Sequence, residues 1–185
     1  MNFIDTGISG LIVAEPKVFK DERGYFLESF NRRTWGDRIP SHEFVQDNQS
    51  YSSYGTLRGF HIQLGEASQA KLVSVIEGEV LDVAVDLRDG SPSFGETYQI
   101  VLSGENKKQM YIPRGFGHAF LVLSDKALFT YKCDNYYAPD KDSGIHFLDP
   151  DLNIEWPVAE DKIILSDKDK QLGSLKGFKS GVKYE

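Results

Sequence analysis

Short segments in which apolar and polar residues alternate are the feature that most restricts how this chain can fold. In residues 80–88, one face of an extended strand would be formed by Leu81, Val83, Val85 and Leu87. The opposite face would consist of Asp82, Asp86 and Arg88. Because side chains alternate between the two faces of a strand, this pattern predicts a half-buried β-strand.

Further strands of similar length are predicted at residues 24–30, 71–76, 97–102, 109–112, 119–123 and 127–132. Residues that favour turns, such as Gly, Pro, Asn and Ser, separate these segments. Glu77 and Gly78 form a short connection to residues 80–88, and this connection predicts an antiparallel hairpin with residues 71–76. Many short strands at such spacing indicate a β-sandwich or a barrel.

Helical signals are sparse, so the predicted fold class is all-β with a few short helices. We expect Asn31 to cap a short helix that continues to Arg38, and Ser166 to cap another that follows it. The length of 185 residues suggests one domain that spans the whole chain. Glycines punctuate the polar residues 173–185, which we expect to form a loosely ordered, flexible tail.

Composition restricts the partners and the compartment. The chain has 21 Lys and Arg residues against 28 Asp and Glu residues, a formal net charge of −7, so a general nucleic-acid-binding protein is not expected. Cys133 is the single cysteine and cannot form a disulfide within the chain, which favours a cytoplasmic location. Neither a signal peptide nor a membrane span is predicted, because the apolar runs have only strand length.

Polar side chains that could bind a ligand are concentrated between residues 44 and 71. They are Gln46, Asn48, Arg58, His61 and Lys71. In an antiparallel barrel, neighbouring strands bring such residues around one cavity, where Arg and Lys would bind an anionic or electron-rich ligand. The structural alternative is that Arg58 and Lys71 are surface charges and that His61 packs within a strand. The combination of residues favours the cavity over this alternative.

His118 follows a turn containing Pro and Gly and begins an apolar strand, so taken alone it is most simply a structural histidine. Together with His61 it is similar to the histidines of metal-binding cupins, barrels that hold an iron or manganese ion. Those proteins have His-x-His where this chain has His61, Ile62 and Gln63. Only His61, Glu66 and His118 would remain as ligands, and no metal is therefore predicted.

Tyr131 and Asp169 each have an ordinary structural interpretation. Tyr131 lies on the same strand face as Phe129, where it would pack in the core with a hydrogen-bonded hydroxyl. Ser166 and Asp169 match the Ser-x-x-Asp capping pattern, so Asp169 would satisfy a helix N-terminus. The local sequence alone favours these structural roles.

Taken in order along the chain, the segments nevertheless resemble one family closely, the dTDP-4-dehydrorhamnose 3,5-epimerases. The resemblance covers nearly the whole chain and includes FKDERGYFLE, FVQDN, LRGFHIQ, KLV, DVAVDLR, most of residues 112–120, and residues 131–132, 136–139, 154–157 and 165–169. Each segment alone is weakly specific, but the ordered set is highly specific. The resemblance implies a metal-free, cupin-type jelly-roll barrel that epimerises a nucleotide sugar without a cofactor.

The resemblance also implies roles for individual residues. His61 would be the general base, Asp169 would orient its imidazole, Tyr131 would be the acid on the other side of the sugar, and Lys71 would face the ketone oxygen. The implied substrate-binding residues are Arg23, Glu28, Gln46, Asn48, Arg58, His118, Asp142 and Lys168. Arg23 and Glu28 would act across the interface of a homodimer.

The implied reaction inverts C3 and C5 of dTDP-4-dehydro-6-deoxy-D-glucose and gives dTDP-4-dehydro-L-rhamnose on the route to dTDP-L-rhamnose. Three alternatives stay open at this point. One is an epimerase of a single carbon, C3 or C5, or a ketoisomerase of the same family. The others are a metal-dependent cupin oxygenase and a non-catalytic module that binds sugar nucleotides.

Some positions depart from the usual family pattern. Arg114 stands where Glu is frequent, and Gly117 and Ala119 flank His118 in the reverse of the common order. Asp142 stands where a longer Glu is common, which puts the nucleotide contact on that side in question.

Overall fold

The computed structural model describes residues 1–40 and 43–184, which form strands, one short α-helix and several 3₁₀ turns. The strands are β1 (Asn2–Asp5), β2 (Ile12–Glu15), β3 (Val18–Asp21), β4 (Gly24–Leu27), β5 (Gln46–Ser53), β6 (Leu57–Gln63), β7 (Lys71–Glu77), β8 (Glu79–Asp86), β9 (Thr97–Ser103), β10 (Gln109–Ile112), β11 (Phe116–Val122), β12 (Lys126–Cys133) and β13 (Asp142–Gly144). The helix is α1 (Arg32–Trp35), and 3₁₀ turns occupy Gly36–Arg38, Gly65–Ala67, Pro139–Lys141, Glu160–Lys162 and Asp169–Gln171. Among the described residues, no helix has the length and apolar character that a membrane crossing requires.

Two antiparallel sheets form the body of the fold. The six-stranded sheet has the order β1-β2-β10-β7-β12-β5, and the five-stranded sheet has the order β13-β6-β11-β8-β9. Strands β3 and β4 pair separately as a two-stranded hairpin. Apolar side chains from both sheets, including Val73, Val80, Phe120 and Phe129, pack together between them. The predicted all-β jelly roll with a few short helices is confirmed.

The predicted hairpin across Glu77 and Gly78 is wrong, because the two strands that it joins belong to different sheets. Strand β7 pairs with β10 and β12, whereas β8 pairs with β9 and β11. Gly78 has a φ of +80°, and a Cβ at this position would collide with the carbonyl oxygen of Lys126. The turn therefore carries the chain from one sheet to the other, which a local turn signal cannot distinguish from a hairpin.

The predicted half-burial of β8 is also wrong, because both of its faces are covered. Val80 and Ala84 point into the core between the sheets. Val83, Val85 and the following Leu87 pack on the outer side against residues that come later in the chain. These later residues are Ile145, Leu152 and Leu175. The C-terminal third of the chain thus buries a sheet face that would otherwise be solvated.

Most other predicted segments are confirmed with small changes in their bounds. Strand β10 matches residues 109–112, and β7, β9 and β12 contain residues 71–76, 97–102 and 127–132. Strand β11 begins at Phe116 and ends at Val122, three residues earlier and one residue earlier than predicted. Strand β4 ends at Leu27 rather than at residue 30. Strands β5 and β6, which contain most of the polar candidates, were not predicted as strands.

The two predicted helix starts have different outcomes. The side chain of Asn31 accepts a hydrogen bond of 3.0 Å from the backbone N–H of Arg33, and this N-cap of α1 is confirmed. Ser166 accepts a hydrogen bond of 3.1 Å from the backbone N–H of Asp169, but only a single 3₁₀ turn follows. The Ser-x-x-Asp pattern therefore marks a turn rather than a helix.

Residues 173–184 lie along the fold and are held by backbone hydrogen bonds. The N–H of Leu175 donates to the side-chain carboxylate of Asp149 at 2.9 Å, and the carbonyl of Ser180 accepts from the N–H of Gly65 at 2.8 Å. The N–H of Tyr184 donates to the carbonyl of Asp89 at 3.1 Å. Residue 185 lies outside the described residues, and the expected flexibility of the tail stays a prediction.

Candidate active site

A cavity opens between the two sheets where β6 ends and β7 begins. It consists of two adjoining spaces of about 180 and 300 Å³, which share Asn48, His61, Lys71 and Tyr131 as lining residues. The first space, here called the Lys168 side, is also lined by Gln46, Gln63, Gln69, Tyr137, Asp142 and Lys168. The second, here called the Arg58 side, is also lined by Ser50, Arg58, His118, Phe120 and Phe129. The four shared residues therefore lie at the junction.

His61 projects from the five-stranded sheet and forms a close pair with Asp169. The Nε2 atom of His61 lies 2.6 Å from Oδ1 of Asp169, and the two side chains are 32% and 4% exposed. Burial alone would raise the pKa of Asp169, but hydrogen bonds from His61, Ser166 and the N–H of Gly59 outweigh it and lower the pKa. An ionised carboxylate can only accept, so Nε2 of His61 bears the hydrogen. Its Nδ1 is consequently left free to accept a proton.

Tyr131 faces His61 from the other side of the cavity. Tyr131 belongs to β12 of the six-stranded sheet and His61 to β6 of the five-stranded sheet, and both line the two spaces. Burial raises the pKa of Tyr131, an effect to which Cys133 adds and which Arg58 opposes. The phenol is therefore protonated at neutral pH and can act as a proton donor.

Lys71 is the cationic side chain next to Tyr131. Its Nζ lies 6.0 Å from the centroid of the Tyr131 ring. Burial lowers the pKa of Lys71, while the neighbouring Cys133 and Asp82 act in the opposite direction. In its ammonium form Lys71 can stabilise negative charge that develops on a bound molecule.

His118 forms a second histidine–carboxylate pair inside the barrel. It is the cross-strand partner of His61, and its Nε2 lies 3.0 Å from both carboxylate oxygens of Asp82. Burial lowers the pKa of His118, although Asp82 opposes this shift. The ring also stacks on Phe129, with centroids 6.0 Å apart. His118 is thus neutral at neutral pH and fixed on three sides by its strand, its carboxylate and an aromatic ring.

Six of the predicted substrate-binding residues line the cavity. They are Gln46, Asn48, Arg58, His118, Asp142 and Lys168. On the Lys168 side, the ammonium of Lys168 forms an ion pair with Asp142, which also accepts a hydrogen bond of 2.9 Å from the hydroxyl of Tyr137. Asp142 therefore contacts two side chains of the cavity mouth despite being shorter than Glu.

Arg23 and Glu28, in contrast, do not line this cavity. Arg23 lies at the turn between β3 and β4, where its side chain is 85% exposed and pairs with Asp21. Glu28 accepts hydrogen bonds of 2.8 Å from Asn31 and 3.1 Å from Thr34. Within one chain the structure therefore does not bring these two residues to the others.

Some residues in or beside the cavity had no assigned role from the sequence. Gln63 and Gln69 line the Lys168 side, and Asp82 contacts His118. Predicting β6 as a strand would have placed Gln63 on the same face as His61, two residues away. Asp82 lies on the face of β8 that the alternation assigned to solvent, and this face points into the barrel.

Metal ligands do not gather in the part of the chain that the structure describes. No group of three or more His, Cys, Asp or Glu side chains suited to hold an ion occurs among residues 1–40 and 43–184. His61 and His118 each contact a carboxylate of their own. Glu66, the third residue of the weakened cupin set, is exposed on the 3₁₀ turn Gly65–Ala67.

Comparison with known proteins gives one consistent family. The family model described as dTDP-4-dehydrorhamnose 3,5-epimerase matches residues 5–177. The chain is similar to a dTDP-4-dehydrorhamnose 3,5-epimerase of Shigella flexneri, with 51% identity over 170 residues that cover 91% of this chain and 93% of the relative.

Solved structures agree in fold and extent. The crystal structure of a dTDP-6-deoxy-D-glucose-3,5-epimerase from Legionella pneumophila in complex with dTDP-4-keto-L-rhamnose is 48% identical, with a TM-score of 0.94 and coverage of 100% of this chain and 98% of that one. A 3'-monoepimerase from Streptomyces bikiniensis in complex with dTDP-quinovose is 36% identical, with a TM-score of 0.82 and coverage of 91% and 85%.

Proposed function

Because the chain belongs to the dTDP-4-dehydrorhamnose 3,5-epimerase family, we propose that it inverts C3 and C5 of dTDP-4-dehydro-6-deoxy-D-glucose. The product is dTDP-4-dehydro-L-rhamnose, for the synthesis of dTDP-L-rhamnose. The main support is the position of the His61–Asp169 pair and Tyr131 on opposite sheets around one cavity. The enzyme is accordingly an isomerase that acts on a sugar nucleotide.

The first half of the reaction is removal of a proton next to the C4 ketone. Nδ1 of His61 accepts the proton from C3 or C5, because its Nε2 is engaged by Asp169 at 2.6 Å. Asp169 also stabilises the imidazolium that forms. The electron pair of the broken C–H bond moves into an enolate, whose negative charge is on O4. Lys71 stabilises this oxygen.

The second half is return of a proton to the opposite face of the same carbon. Tyr131 donates the proton, since burial keeps its hydroxyl protonated until the enolate collapses. Delivery from the face opposite to His61 inverts the carbon. Before the second carbon reacts, the His61 imidazolium releases its proton to solvent and the Tyr131 phenolate takes one up. No electron leaves or enters the sugar, so the proposed reaction needs no redox cofactor, and none of its steps needs a metal.

The remaining residues of the cavity hold the nucleotide sugar. Arg58 and Lys168 supply positive charge for an anionic ligand in a protein whose net charge is −7. Gln46 and Asn48, which share a hydrogen bond of 3.0 Å, and His118 complete the polar lining. Asp142 fixes Lys168 at the mouth of the cavity.

We further propose a homodimer in which Arg23 and Glu28 reach the cavity of the partner subunit. This proposal is supported by the β3–β4 hairpin, on which Phe19 and Phe26 are 52% and 69% exposed. Large apolar side chains grouped in this way are typical of an interaction surface. A cytoplasmic location is proposed from the single cysteine, Cys133, which is buried as a free thiol.

The test of the proposed function is exchange with solvent. The protein, with and without chelator treatment, is incubated with the 4-keto substrate in deuterated water, and C3 and C5 are followed by NMR. Deuterium at both carbons is expected. Deuterium at C3 alone would assign the chain to single-carbon epimerases, a candidate that the similarity to the 3'-monoepimerase supports. Loss of exchange with the chelator would support the metal-dependent alternative, and no exchange in either condition would support a binding module.

The role of Tyr131 has its own test. In Tyr131→Phe the base and the oxyanion stabiliser remain, so some deuterium exchange is expected while inversion falls by roughly 100-fold or more. NMR separates the two, because exchange with retention returns labelled starting material. If Tyr131→Phe inverts both carbons at the wild-type rate, another group is the acid.

A further inference from the structure

Two cavity-lining residues have buried side-chain atoms without a hydrogen-bond partner among the described residues. In the described part of the chain, the buried side-chain atoms that lack a hydrogen bond include Nε2 of Gln63 and Oγ of Ser50, both from cavity-lining residues. Gln63 is the more enclosed, with 5% of the residue exposed. A buried donor that makes no hydrogen bond destabilises the folded protein, so its presence at a ligand cavity calls for an explanation.

The orientation of the Gln63 amide is fixed by the backbone. The N–H of Ala138 donates a hydrogen bond of 2.8 Å to Oε1 of Gln63. A flipped amide would place its NH₂ group against that N–H, and two donors cannot satisfy each other. The NH₂ group is therefore directed away from Ala138, and it belongs to a residue that lines the Lys168 side of the cavity.

Gln63 lies close to the proposed base. The side chains of His61 and Gln63 are on the same face of β6, and their Cα atoms are separated by about 6.6 Å along an ideal strand. The strand pairing places Asp142 directly opposite Gln63. A molecule whose reacting carbon contacts His61 would thus present the groups attached near that carbon to Gln63.

We propose that Gln63 is a positioning residue, whose Nε2–H donates a hydrogen bond to an acceptor oxygen of the bound sugar nucleotide and so holds the reacting carbon against His61. This inference rests on the proposed function. The acceptor is an oxygen of the sugar or of the diphosphate, since both are near the reacting ring and both accept hydrogen bonds. The amide that occupies the place of a metal-binding histidine in other cupins would then serve the substrate directly.

Two variants of Gln63 and one matched control test this inference. Gln63→Met removes the donor and the acceptor, whereas Gln63→Glu keeps the oxygen that Ala138 needs and removes the donor. Gln109→Met is the control, because Gln109 is also 5% exposed and has an unpaired Oε1, but it does not line the cavity. Thermal unfolding of all three variants measures the structural effect.

Binding is measured by calorimetry with dTDP and with dTDP-glucose, which has no ketone and does not react. Gln63→Met is expected to bind dTDP-glucose about 10-fold more weakly than wild type, the effect of one lost hydrogen bond, and Gln109→Met less than 2-fold more weakly. Gln63→Glu is expected to bind at least as weakly as Gln63→Met, because its carboxylate also repels the diphosphate. Equal weakening for dTDP would identify a phosphoryl oxygen as the acceptor, and unchanged dTDP binding would identify a sugar oxygen.

The inference is overturned if Gln63→Glu binds both ligands within 2-fold of wild type. Should Gln63→Met fail to fold, Gln63→Glu decides by the same measurement. Because these probes report binding rather than turnover, their result is independent of the exchange experiment. Absence of exchange in the wild-type protein would reject the proposed function and leave the binding result for Gln63 intact.

Discussion

The two histidine–carboxylate pairs of the barrel lie side by side, yet they differ in exposure and in origin. His61 is 32% exposed at the cavity, and its partner Asp169 comes from the C-terminal segment. His118 and Asp82 are 7% and 0% exposed, and both belong to strands of the five-stranded sheet. The comparison teaches that the same histidine–carboxylate contact occurs in this barrel once with a partly exposed imidazole and once with an enclosed one.

The electrostatic states of the two pairs differ in a related way. Hydrogen bonds from His61, Ser166 and Gly59 lower the pKa of Asp169 in spite of its burial. Around His118 burial is the larger influence, and it lowers the pKa of the imidazole in spite of Asp82. We therefore infer that the first pair exchanges protons with the substrate, whereas the second is a neutral donor or acceptor in the wall.

The largest expected effect is the loss of activity on removing the two imidazoles in turn. His61→Ala should lower kcat/KM by about 10³-fold or more, because general base catalysis is lost, and deuterium exchange should cease. His118→Ala should raise KM by about 10-fold and reduce exchange much less. Steady-state rates and NMR exchange measure both. A similar loss of kcat in the two variants would contradict the proposal that His61 is the general base and that His118 only lines the cavity.

Exchanging each carboxylate for its amide sharpens the same comparison. In Asp169→Asn the amide NH₂ can donate to Nε2 of His61, which moves the ring hydrogen to Nδ1 and blocks the base, so kcat should fall by about 100-fold. In Asp82→Asn the loss of kcat should be below about 10-fold, and the main effect should be a decrease of about 1–3 kcal/mol in the free energy of unfolding. Saturating kinetics and urea unfolding measure these effects. A larger loss of kcat in Asp82→Asn than in Asp169→Asn would reverse the proposed roles.

The difference between the pairs also shows what the sequence can predict. The strand that contains Asp82 was predicted from its alternation, but the faces of that strand were not. Leu81 and Val83 were predicted on the apolar face of a half-buried strand. In the structure both faces are covered, since Val83 packs under the C-terminal segment and Asp82 faces the barrel interior. Alternation reports two different faces. It does not report what covers each face.

Asp169 illustrates a second limit. Its local pattern with Ser166 is that of a helix cap, and the Ser166 hydroxyl does bond to this turn. The contact on which the proposed mechanism depends joins residues 61 and 169, which are 108 positions apart. Only the resemblance to a family linked them from sequence, because no local rule relates positions so far apart. The same limit explains the wrong hairpin prediction at Glu77–Gly78. The strands on either side of this turn pair with strands from elsewhere in the chain, not with each other.

The smallest expected effect is on the pH dependence of stability. The His118 and Asp169 contributions to the free energy of unfolding change over different pH ranges. The pKa of folded His118 lies below 6.5, its ordinary value, so below pH 6.5 the unfolded chain binds a proton that the folded protein does not. Stability therefore falls as the pH decreases from 6.5, with a maximal slope of about 1.4 kcal/mol per pH unit. The contribution of Asp169 is present above its ordinary pKa of 3.8 and is lost only as the pH falls further, through its lowered pKa.

Urea unfolding of wild type and His118→Gln at pH 8.5, 7.5, 6.5 and 5.5 measures this difference. Between pH 7.5 and 5.5 the wild-type protein should lose about 1 kcal/mol more stability than the variant, since glutamine does not titrate. From pH 8.5 to 7.5 the two proteins should change in parallel, and this range is the internal control. Parallel behaviour down to pH 5.5 would mean that His118 takes up its proton equally in the folded and unfolded states. His118 would then be a second proton acceptor in the cavity wall, and the distinction between the two pairs would rest on position alone.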